Sequence, residues 1–187
     1  MRRPLLALLA LALHAAPAAA QGAVEHRGLW AGIHAGYGFA SYGGDASSSN
    51  DGGFTAGLRI GGTLRPNLLL GGESNGWYGR QDDVDSIWGS IMGVAYYYPV
   101  SSLPLFMKGG AGYLYTVQSQ QPRDLTSSHF AIQLGAGYDI LIGTDVAVTL
   151  TAAYLQGFAA DWELAGASTS TSVSPNLILL GVGISLY

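Results

Sequence analysis

The sequence predicts an all-β protein: an eight-stranded, antiparallel up-and-down transmembrane β-barrel, with an N-terminal signal peptide that is removed. Three observations predict this fold. Apolar residues alternate with polar or small residues in eight segments, and the connections between these segments are short and long in turn. Charged residues make up only 11% of a chain that is 49% hydrophobic, whereas a soluble domain carries about 25% charged residues. Transmembrane barrels combine this alternation with short turns on one side.

The composition excludes several classes of protein. The chain has no cysteine, 28 glycines, and 8 basic against 12 acidic residues. A disulfide scaffold and a basic nucleic-acid-binding protein are therefore excluded, and no nucleic acid is expected as a partner. After the first twenty residues no run of 18 apolar residues occurs, which excludes a helical membrane protein.

The chain divides into a signal peptide, residues 1–20, and an outer-membrane barrel domain, residues 21–187. Two arginines open the signal segment, residues 5–13 form its apolar centre, and three alanines at 18–20 provide a cleavage site. This order of a basic, an apolar and a small-residue region is typical of secreted proteins. The apolar centre is too short for a spanning helix, which needs about 20 residues.

Eight strand segments follow, each long enough to cross a membrane at a tilt, which takes about 9–11 residues. They are 29–40, 54–65, 68–78, 87–98, 105–117, 129–141, 146–156 and 176–187. The first places Tyr37 and Phe39 on one face and His34 on the other. The sixth alternates most clearly, with Phe130, Ile132, Leu134, Ala136, Tyr138 and Ile140 on one face. The third and fourth segments alternate less clearly because apolar residues occupy both faces.

The connections also alternate. Short ones occupy 66–67, 99–104 and 142–145, and long polar ones occupy 41–53, 79–86, 118–128 and 157–174. In outer-membrane barrels short turns face the periplasm and long loops face outside. The long connections hold eight acidic residues and two arginines: Asp45, Asp51, Asp82, Asp83, Asp85, Asp124, Asp161, Glu163, Arg80 and Arg123. The sequence therefore predicts an acidic outer surface.

Aromatic residues cluster near the ends of the segments. They are Tyr96, Tyr97 and Tyr98 at a short turn, and Tyr37, Phe39, Tyr113, Tyr115 and Tyr154 toward the long loops. Aromatic girdles mark the two membrane interfaces of a barrel. We predict that these residues form such girdles.

On these features the chain resembles the small outer-membrane barrels of the OmpA/OmpX-like family. The resemblance rests on the signal peptide, the alternating segments, the turn and loop asymmetry, the last strand and the Gly-rich stretches at 70–73 and 135–138. It implies location in the outer membrane after signal-directed export. It also implies contact with outer-membrane lipid, lipopolysaccharide and the barrel-assembly machinery. In this family the terminal aromatic residue shares the lipid-facing register, but here Tyr187 is one residue out of phase with Ile178 to Leu186.

Six ionisable residues fall on the inward face by alternation: His34, Arg59, Glu73, Lys108, His129 and Asp139. An eight-stranded barrel is only wide enough for side chains to fill it, so these residues should form a polar interior network rather than a channel. Arg59 and Glu73 are equidistant from Pro66 in the predicted turn and should lie directly opposite each other as an ion pair. We predict a second pair, Lys108 with Asp139, at a similar height.

The predicted function is structural or a surface interaction through the outer loops, whose ligand the sequence does not name. Two alternatives remain, a narrow channel for small or apolar solutes and an enzyme that modifies lipid A. A soluble barrel with its apolar face inward would leave a surface with too few charges.

No catalytic residue is predicted. The stretch from Glu73 to Gly76 resembles the Ser-Asn part of the motif in outer-membrane lipid A deacylases, but their histidine position is Gly72 here, so Ser74 lacks a base. Ser127-Ser128-His129 is read as a junction between loop and strand, because adjacent strand residues point to opposite faces. No residue spacing indicates a cofactor or a metal site.

Overall fold

A computed structural model describes residues 26–43, 51–81, 84–100, 102–120, 123–158, 160–164 and 167–187. These residues form one antiparallel sheet of nine strands. Its strands are β1 Leu29–Gly43, β2 Asp51–Arg65, β3 Leu68–Gln81, β4 Val84–Tyr97, β5 Leu105–Gln120, β6 Arg123–Leu141, β7 Val146–Gly157, β8 Ala160–Leu164 and β9 Ala167–Leu186. In the described residues there is no helix with the length and hydropathy needed to cross a bilayer. The predicted signal peptide, residues 1–20, lies outside them.

The sheet closes on itself through its first and last strands. β1 pairs with β2 on one side and with β9 on the other, from Ala31 opposite Leu186 to Gly43 opposite Ser174. Eight strands, β1 to β7 and β9, complete the barrel, while the five-residue β8 pairs with β9 and β6 beside it. The predicted closed, eight-stranded barrel is confirmed.

Burial alternates along the strands and separates two faces. Large apolar side chains point outward, for example Ile91, which is 74% exposed, and Leu134, which is 63% exposed. Residues between them, such as Met92 and Gln133, are fully buried inside the barrel. Because an apolar outer face needs lipid rather than water around it, the soluble alternative with the apolar face inward is excluded.

Several strands are longer than the sequence predicted. β5 and β6 pair as far as Gln120 opposite Arg123, and most of the predicted loop 157–174 belongs to β8 and β9. The alternation of apolar residues ends where the outer face becomes polar. Strand pairing depends on backbone hydrogen bonds rather than on apolar side chains, so the β5–β6 hairpin continues beyond the apolar band.

Glycines on the inner face make room for the larger side chains of neighbouring strands. A Cβ atom built on Gly137 would lie 2.3 Å from Cζ of Phe106, and one built on Gly110 would lie 2.5 Å from Cγ1 of Val94. Real Cβ atoms do not approach a neighbour so closely. The inner glycines therefore set how large their opposite neighbours can be.

We expect Gly137→Ala to destabilise the barrel by about 1–3 kcal/mol, the usual cost of overpacking a filled core. Gly72→Ala is the matched control, because the nearest atom to its Cβ would be the Met92 carbonyl oxygen at 3.9 Å. Urea titration of the refolded barrel, followed by tryptophan fluorescence, measures both variants. Equal stability of the two would show that Phe106 adjusts without cost.

Candidate functional site

The polar centre of the barrel contains a buried ion pair, but not the predicted one. Arg59 and Glu73 lie opposite each other in the β2–β3 register, as predicted. The salt bridge of Glu73, however, is made with Lys108, whose Nζ lies 2.6 Å from Oε1 and 2.9 Å from Oε2. Both side chains are almost completely buried. The prediction of an Arg59–Glu73 ion pair is therefore wrong, although its register is right.

The Glu73 carboxylate is held by further donors. Asn75 Nδ2 donates to Oε1 at 3.1 Å, and Gln133 Nε2 donates to the same oxygen at 2.8 Å. The hydroxyl of Tyr96 donates to Oε2. Because a buried charge is costly unless paired and hydrogen-bonded, this set of donors explains how a carboxylate is kept inside the barrel.

Arg59 reaches the second carboxylate through two hydroxyl groups. Its Nη2 donates to Ser185 Oγ at 2.5 Å, Ser185 Oγ lies 2.6 Å from Thr149 Oγ1, and Thr149 donates to Asp139 Oδ1 at 2.5 Å. The guanidinium carbon also lies 5.6 Å from the centre of the Tyr96 ring, a distance typical of a cation–π contact. The predicted partners are thus exchanged: Lys108 is paired with Glu73, and Arg59 is linked to Asp139.

The predicted Lys108–Asp139 pair is wrong because the β5–β6 register separates the two residues. Lys108 lies opposite Gly135, so Asp139 is four residues nearer to the periplasmic end, about 13 Å along the strand. There the Asp139 backbone N–H bonds to the Pro104 carbonyl. The length of the β5–β6 hairpin left this register open in the sequence.

Two aromatic clusters lie on either side of the polar centre. The outer aromatic cluster, toward the long loops, consists of Tyr42, Trp77 and Trp88, with the Trp88 ring centre 4.9 Å from that of Tyr42 and 5.6 Å from that of Trp77. The inner aromatic cluster, toward the short turns, consists of Trp30, Tyr96 and Phe106. Together with the polar centre they fill the lumen of the described strands.

The assignment of Tyr96 and Tyr98 to a membrane girdle is wrong. Both point into the barrel and are only 2% and 4% exposed, whereas Tyr97 between them is 45% exposed and faces outward. The other predicted girdle residues do point outward, namely Tyr37, Phe39, Tyr113, Tyr115 and Tyr154. Three consecutive tyrosines fit either register, and β4 carries apolar residues on both faces, so the sequence could not assign them.

The periplasmic mouth is closed by a group that the sequence did not predict. This periplasmic cap consists of His26, Tyr98 and Tyr187; the His26 ring centre lies 4.2 Å from that of Tyr98 and 4.6 Å from that of Tyr187. Both tyrosine hydroxyls lie 2.7 Å from Asp139 Oδ2. The out-of-phase position of Tyr187 thus has a structural result, because its side chain turns inward and bonds to the network.

His26 lies before the first strand and is buried. Its Nδ1 donates to the Pro66 carbonyl at 3.2 Å, and its Nε2 has no partner in the described part of the chain. Burial lowers the pKa of this imidazole, while the Pro66 carbonyl and Asp139 act in the opposite direction. The folded protein therefore favours neutral His26.

We expect the cap to weaken as the pH falls below about 6.5, the ordinary pKa of histidine. Below that value the unfolded segment binds a proton that the folded cap resists, so stability decreases with falling pH. His26→Phe should remove this component. Proteolysis of the segment before β1, compared between neutral and mildly acidic buffer, measures it. Identical pH profiles for the variant and the wild type would contradict the role of His26.

The remaining two predicted residues lie inside the barrel but apart from the ion pair. His34 Nε2 lies 2.9 Å from Asn75 Oδ1, which links it to the edge of the Glu73 network. His129 is near the outer end, where its Nδ1 donates to the Phe158 carbonyl at 2.9 Å. It is 1% exposed.

Ser127 and His129 share a face, because residues two apart in a strand point the same way, whereas a comparison of adjacent residues does not show this. The Ser127 hydroxyl lies 2.6 Å from His129 Nε2 and 2.7 Å from Thr116 Oγ1. This is the distance between a nucleophile and its base. All three side chains are buried, and the contact between Thr116 and Ser127 joins β5 to β6. Ser74, the serine of the stretch that resembles the deacylase motif, lies on β3 between Leu58 of β2 and Ile91 of β4.

Beyond the outer girdle the strands continue as a platform. We call β5, β6, β8 and the start of β9 the outer platform; β6 pairs with β8 at Leu125 and Leu164, and β8 pairs with β9 at Ala160 and Val173. The β5–β6 hairpin runs five residues past Tyr115, about 17 Å. This part of the fold lies beyond the outward-facing tyrosines of the outer girdle.

The predicted acidic loop residues are only partly described. Asp85 is one of them; it lies 3.7 Å from Arg80 and accepts a hydrogen bond from the Tyr78 hydroxyl at 2.9 Å. Asp45, Asp82 and Asp83 lie outside the described residues. Within the described ranges no three His, Cys, Asp or Glu side chains form a group that could hold a metal ion.

The closed sheet, apolar outer face and filled interior define an integral membrane β-barrel. The family described as outer membrane protein beta-barrel domain matches residues 5–185. The chain belongs to this family, which places it in the outer membrane. No curated protein matches the sequence.

Solved structures with the same fold are distant in sequence. Neisserial surface protein A (NspA) has a TM-score of 0.62 at 15% identity, covering 89% of this chain and 99% of that one. Ail, the attachment invasion locus protein of Yersinia pestis, has a TM-score of 0.52 at 18% identity, covering 86% and 99%. A major outer membrane protein from Thermus thermophilus has a TM-score of 0.50 at 12% identity, covering 86% and 99%. At these identities the likeness concerns the fold.

Proposed function

We propose that this protein is a non-conducting, non-enzymatic outer-membrane barrel that presents its outer platform and acidic connections to a partner outside the cell. The observation that carries the proposal is the filled interior. The polar centre is hydrogen-bonded and lies between the outer and inner aromatic clusters, with the periplasmic cap below them. An eight-stranded barrel filled in this way is a rigid support rather than a route for solutes.

The outer platform supports the surface-contact part of the proposal. It extends the ladder into water, which serves no purpose in crossing the membrane. The sequence places eight acidic residues and two arginines in the long connections. Complementary charge steers association and sets partner choice, so we propose a cationic protein surface as the partner. One solved protein with this fold is Ail, the attachment invasion locus protein of Yersinia pestis.

Further parts of the proposal concern the route to the membrane and its surroundings. The resemblance to the OmpA/OmpX-like barrels supports export directed by residues 1–20 and cleavage before Gln21. It also supports insertion by the barrel-assembly machinery and contact with lipopolysaccharide. Ser127 and His129 have a packing role in this proposal. An unchanged pattern of lipid A acyl chains in cells that overproduce the protein is the expected result.

Single-channel recording in planar bilayers tests the closed interior. We expect no stable conductance steps from the wild type, nor from a Trp77→Ala/Trp88→Ala variant, because the polar centre, the inner aromatic cluster and the periplasmic cap still occupy the lumen of that variant. Stable steps from the wild type would overturn the proposal in favour of a narrow channel. Both samples must first show a heat-dependent shift in gel mobility, which demonstrates folded barrels.

Binding of a cationic peptide, poly-L-lysine, to barrels in neutral vesicles tests the charge of the outer surface. We expect binding that weakens with salt, because exposed charges are screened within about 10 Å at 0.1 M ionic strength. A variant with Asp45, Asp51, Asp82 and Asp83 changed to Asn should bind more weakly. Equal binding by this variant would remove the acidic connections from the proposal.

A further inference from the structure

The outward face of β3 and β4 carries mostly small residues in the middle of the membrane. It consists of three cross-strand pairs, which we call the β3–β4 face: Gly76 with Gly89, Ser74 with Ile91, and Gly72 with Gly93. These residues face outward because their neighbours along each strand, such as Glu73 and Met92, are buried in the lumen. On β9, by contrast, the outward residues from Ile178 to Ile184 are all large and apolar. The β3–β4 face is therefore a local depression with Ile91 at its edge.

The glycines of this face are not required by the barrel itself. A Cβ atom built on Gly72 would have the Met92 carbonyl oxygen as its nearest neighbour, at 3.9 Å, and the nearest atoms at the other three glycines would lie 3.7 to 3.8 Å away. These are ordinary van der Waals distances, whereas a Cβ on the inward-facing Gly71 would lie 2.3 Å from the Ile60 carbonyl oxygen. A glycine inside a strand weakens the strand and often marks a place where another backbone approaches closely. The outward glycines therefore indicate a neighbour outside the barrel.

Ser74 is a second, independent indication of a neighbour. Its side chain faces the hydrocarbon region, four residues from the outward-facing Tyr78 of the same strand, about 13 Å along the strand. Within the described part of the chain the Ser74 hydroxyl makes no hydrogen bond. Lipid chains offer no acceptor, so a hydroxyl at this depth is satisfied only by another protein group. Small residues and serine are enriched where transmembrane segments pack closely on each other.

The face is complementary to itself. Ile91 on β4 projects outward beside the depression on β3, and Ser74 lies directly opposite it in the register. A two-fold axis along the membrane normal that passes between β3 and β4 brings Ile91 of each copy into the depression of the other, against Ser74. The Ser74 hydroxyl of each copy then faces protein instead of lipid.

We propose that two copies of this chain pair through their β3–β4 faces within the bilayer. The contact spans the four strands β2 to β5, about 14 Å, and runs from Leu70 to Tyr78, about 27 Å, which gives a flat footprint of about 400 Å² per copy. Contacts of this size are weak and reversible. Close packing holds the two barrels together, because lipid leaves no hydrophobic force between them. The pairing does not depend on a surface partner, and it places two outer platforms side by side.

The test is energy transfer between barrels refolded into phosphatidylcholine vesicles. The chain has no cysteine, so Ser102→Cys on the exposed turn between β4 and β5 provides one position for a donor or an acceptor dye. We expect transfer above the level of random proximity, decreasing as lipid is added and rising linearly with the acceptor fraction, as a dimer requires. Transfer at the random level, or a curved dependence that indicates larger clusters, would overturn the proposal.

Gly72→Val and Gly93→Val fill the depression from outside. Each should lower the association constant about tenfold, which corresponds to about 1.4 kcal/mol. Ile91→Ala removes the projecting side chain and should act in the same direction, and Ser74→Ala, which keeps the size and loses the hydroxyl, should show a smaller loss. Neither valine variant should unfold at a lower temperature than the unchanged barrel in gel-mobility assays, because the added side chains face lipid in the single barrel.

Ala136→Val is the matched control, because Ala136 also faces outward but lies on β6, opposite Ala152 of β7 and away from the β3–β4 face. It should associate like the unchanged barrel. Equal losses from Ala136→Val and Gly93→Val, or unchanged association of both glycine variants, would overturn the proposal. Gel mobility confirms that every variant is folded, and conductance and peptide binding report separately on the proposed function.

Discussion

Glu73→Gln is expected to lower the free energy of unfolding by about 3–5 kcal/mol, since it leaves Lys108 buried without an opposite charge. The loss also includes a mismatch of hydrogen bonds. Lys108, Asn75, Gln133 and Tyr96 all donate to the carboxylate, and a glutamine amide offers one acceptor oxygen in place of two. Urea titration of the refolded barrel in phospholipid vesicles measures the change.

A double-mutant cycle identifies the partner. Glu73→Gln combined with Lys108→Met should be far less destabilised than the sum of the single variants, because the second change removes the stranded charge. The parallel cycle with Arg59→Met should show a smaller coupling, since Arg59 bonds to Ser185 rather than to Glu73. A larger coupling for Arg59 would show instead that Arg59 and Glu73 form the ion pair, as their opposite positions in the strand register suggest.

Asp139→Asn should cost a similar amount, about 3–5 kcal/mol, because Arg59 loses its counter-charge. The carboxylate also accepts from Tyr98, Tyr187 and Thr149. Tyr187→Phe removes one of these three bonds and should cost about 1.5–3 kcal/mol, the usual value for a hydrogen bond to a charged group.

Heat-dependent gel mobility and thermal unfolding compare the two variants. The order of loss is the decisive result, with Asp139→Asn greater than Tyr187→Phe. A Tyr187→Phe variant as unstable as Asp139→Asn would mean that the terminal hydroxyl contributes more than one bond.

Strand pairing could be predicted from the sequence where turns are short. Arg65 pairs with Leu68 across the turn at Pro66 and Asn67, and a register shift between Thr63 and Arg65 then places Arg59 opposite Glu73, as centring the turn on Pro66 had predicted. The partners in the lumen could not be predicted in this way. Lys108 is on β5 and reaches Glu73 on β3 across the barrel, and such distances depend on the tilt and stagger of closure.

The direction in which side chains point could be predicted for strands that have only one apolar face. β2, β6 and β9 meet this condition, whereas β4 buries Met92, Val94 and Tyr96 inside while Ile91 faces lipid. Because aromatic and apolar side chains of β4 point into the barrel, the expectation that inward-facing residues are polar fails for this strand.

The periplasmic cap also has a consequence for the order of folding. His26 precedes the first strand, Tyr187 follows the last, and Tyr98 and Asp139 belong to the middle of the chain. The cap therefore cannot assemble while β1 and β9 are still apart. The cap therefore forms after β1 and β9 have paired, and its bonds oppose the separation of these two strands. Tyr187, which is one position out of phase with the lipid-facing residues, therefore strengthens the seam between β1 and β9.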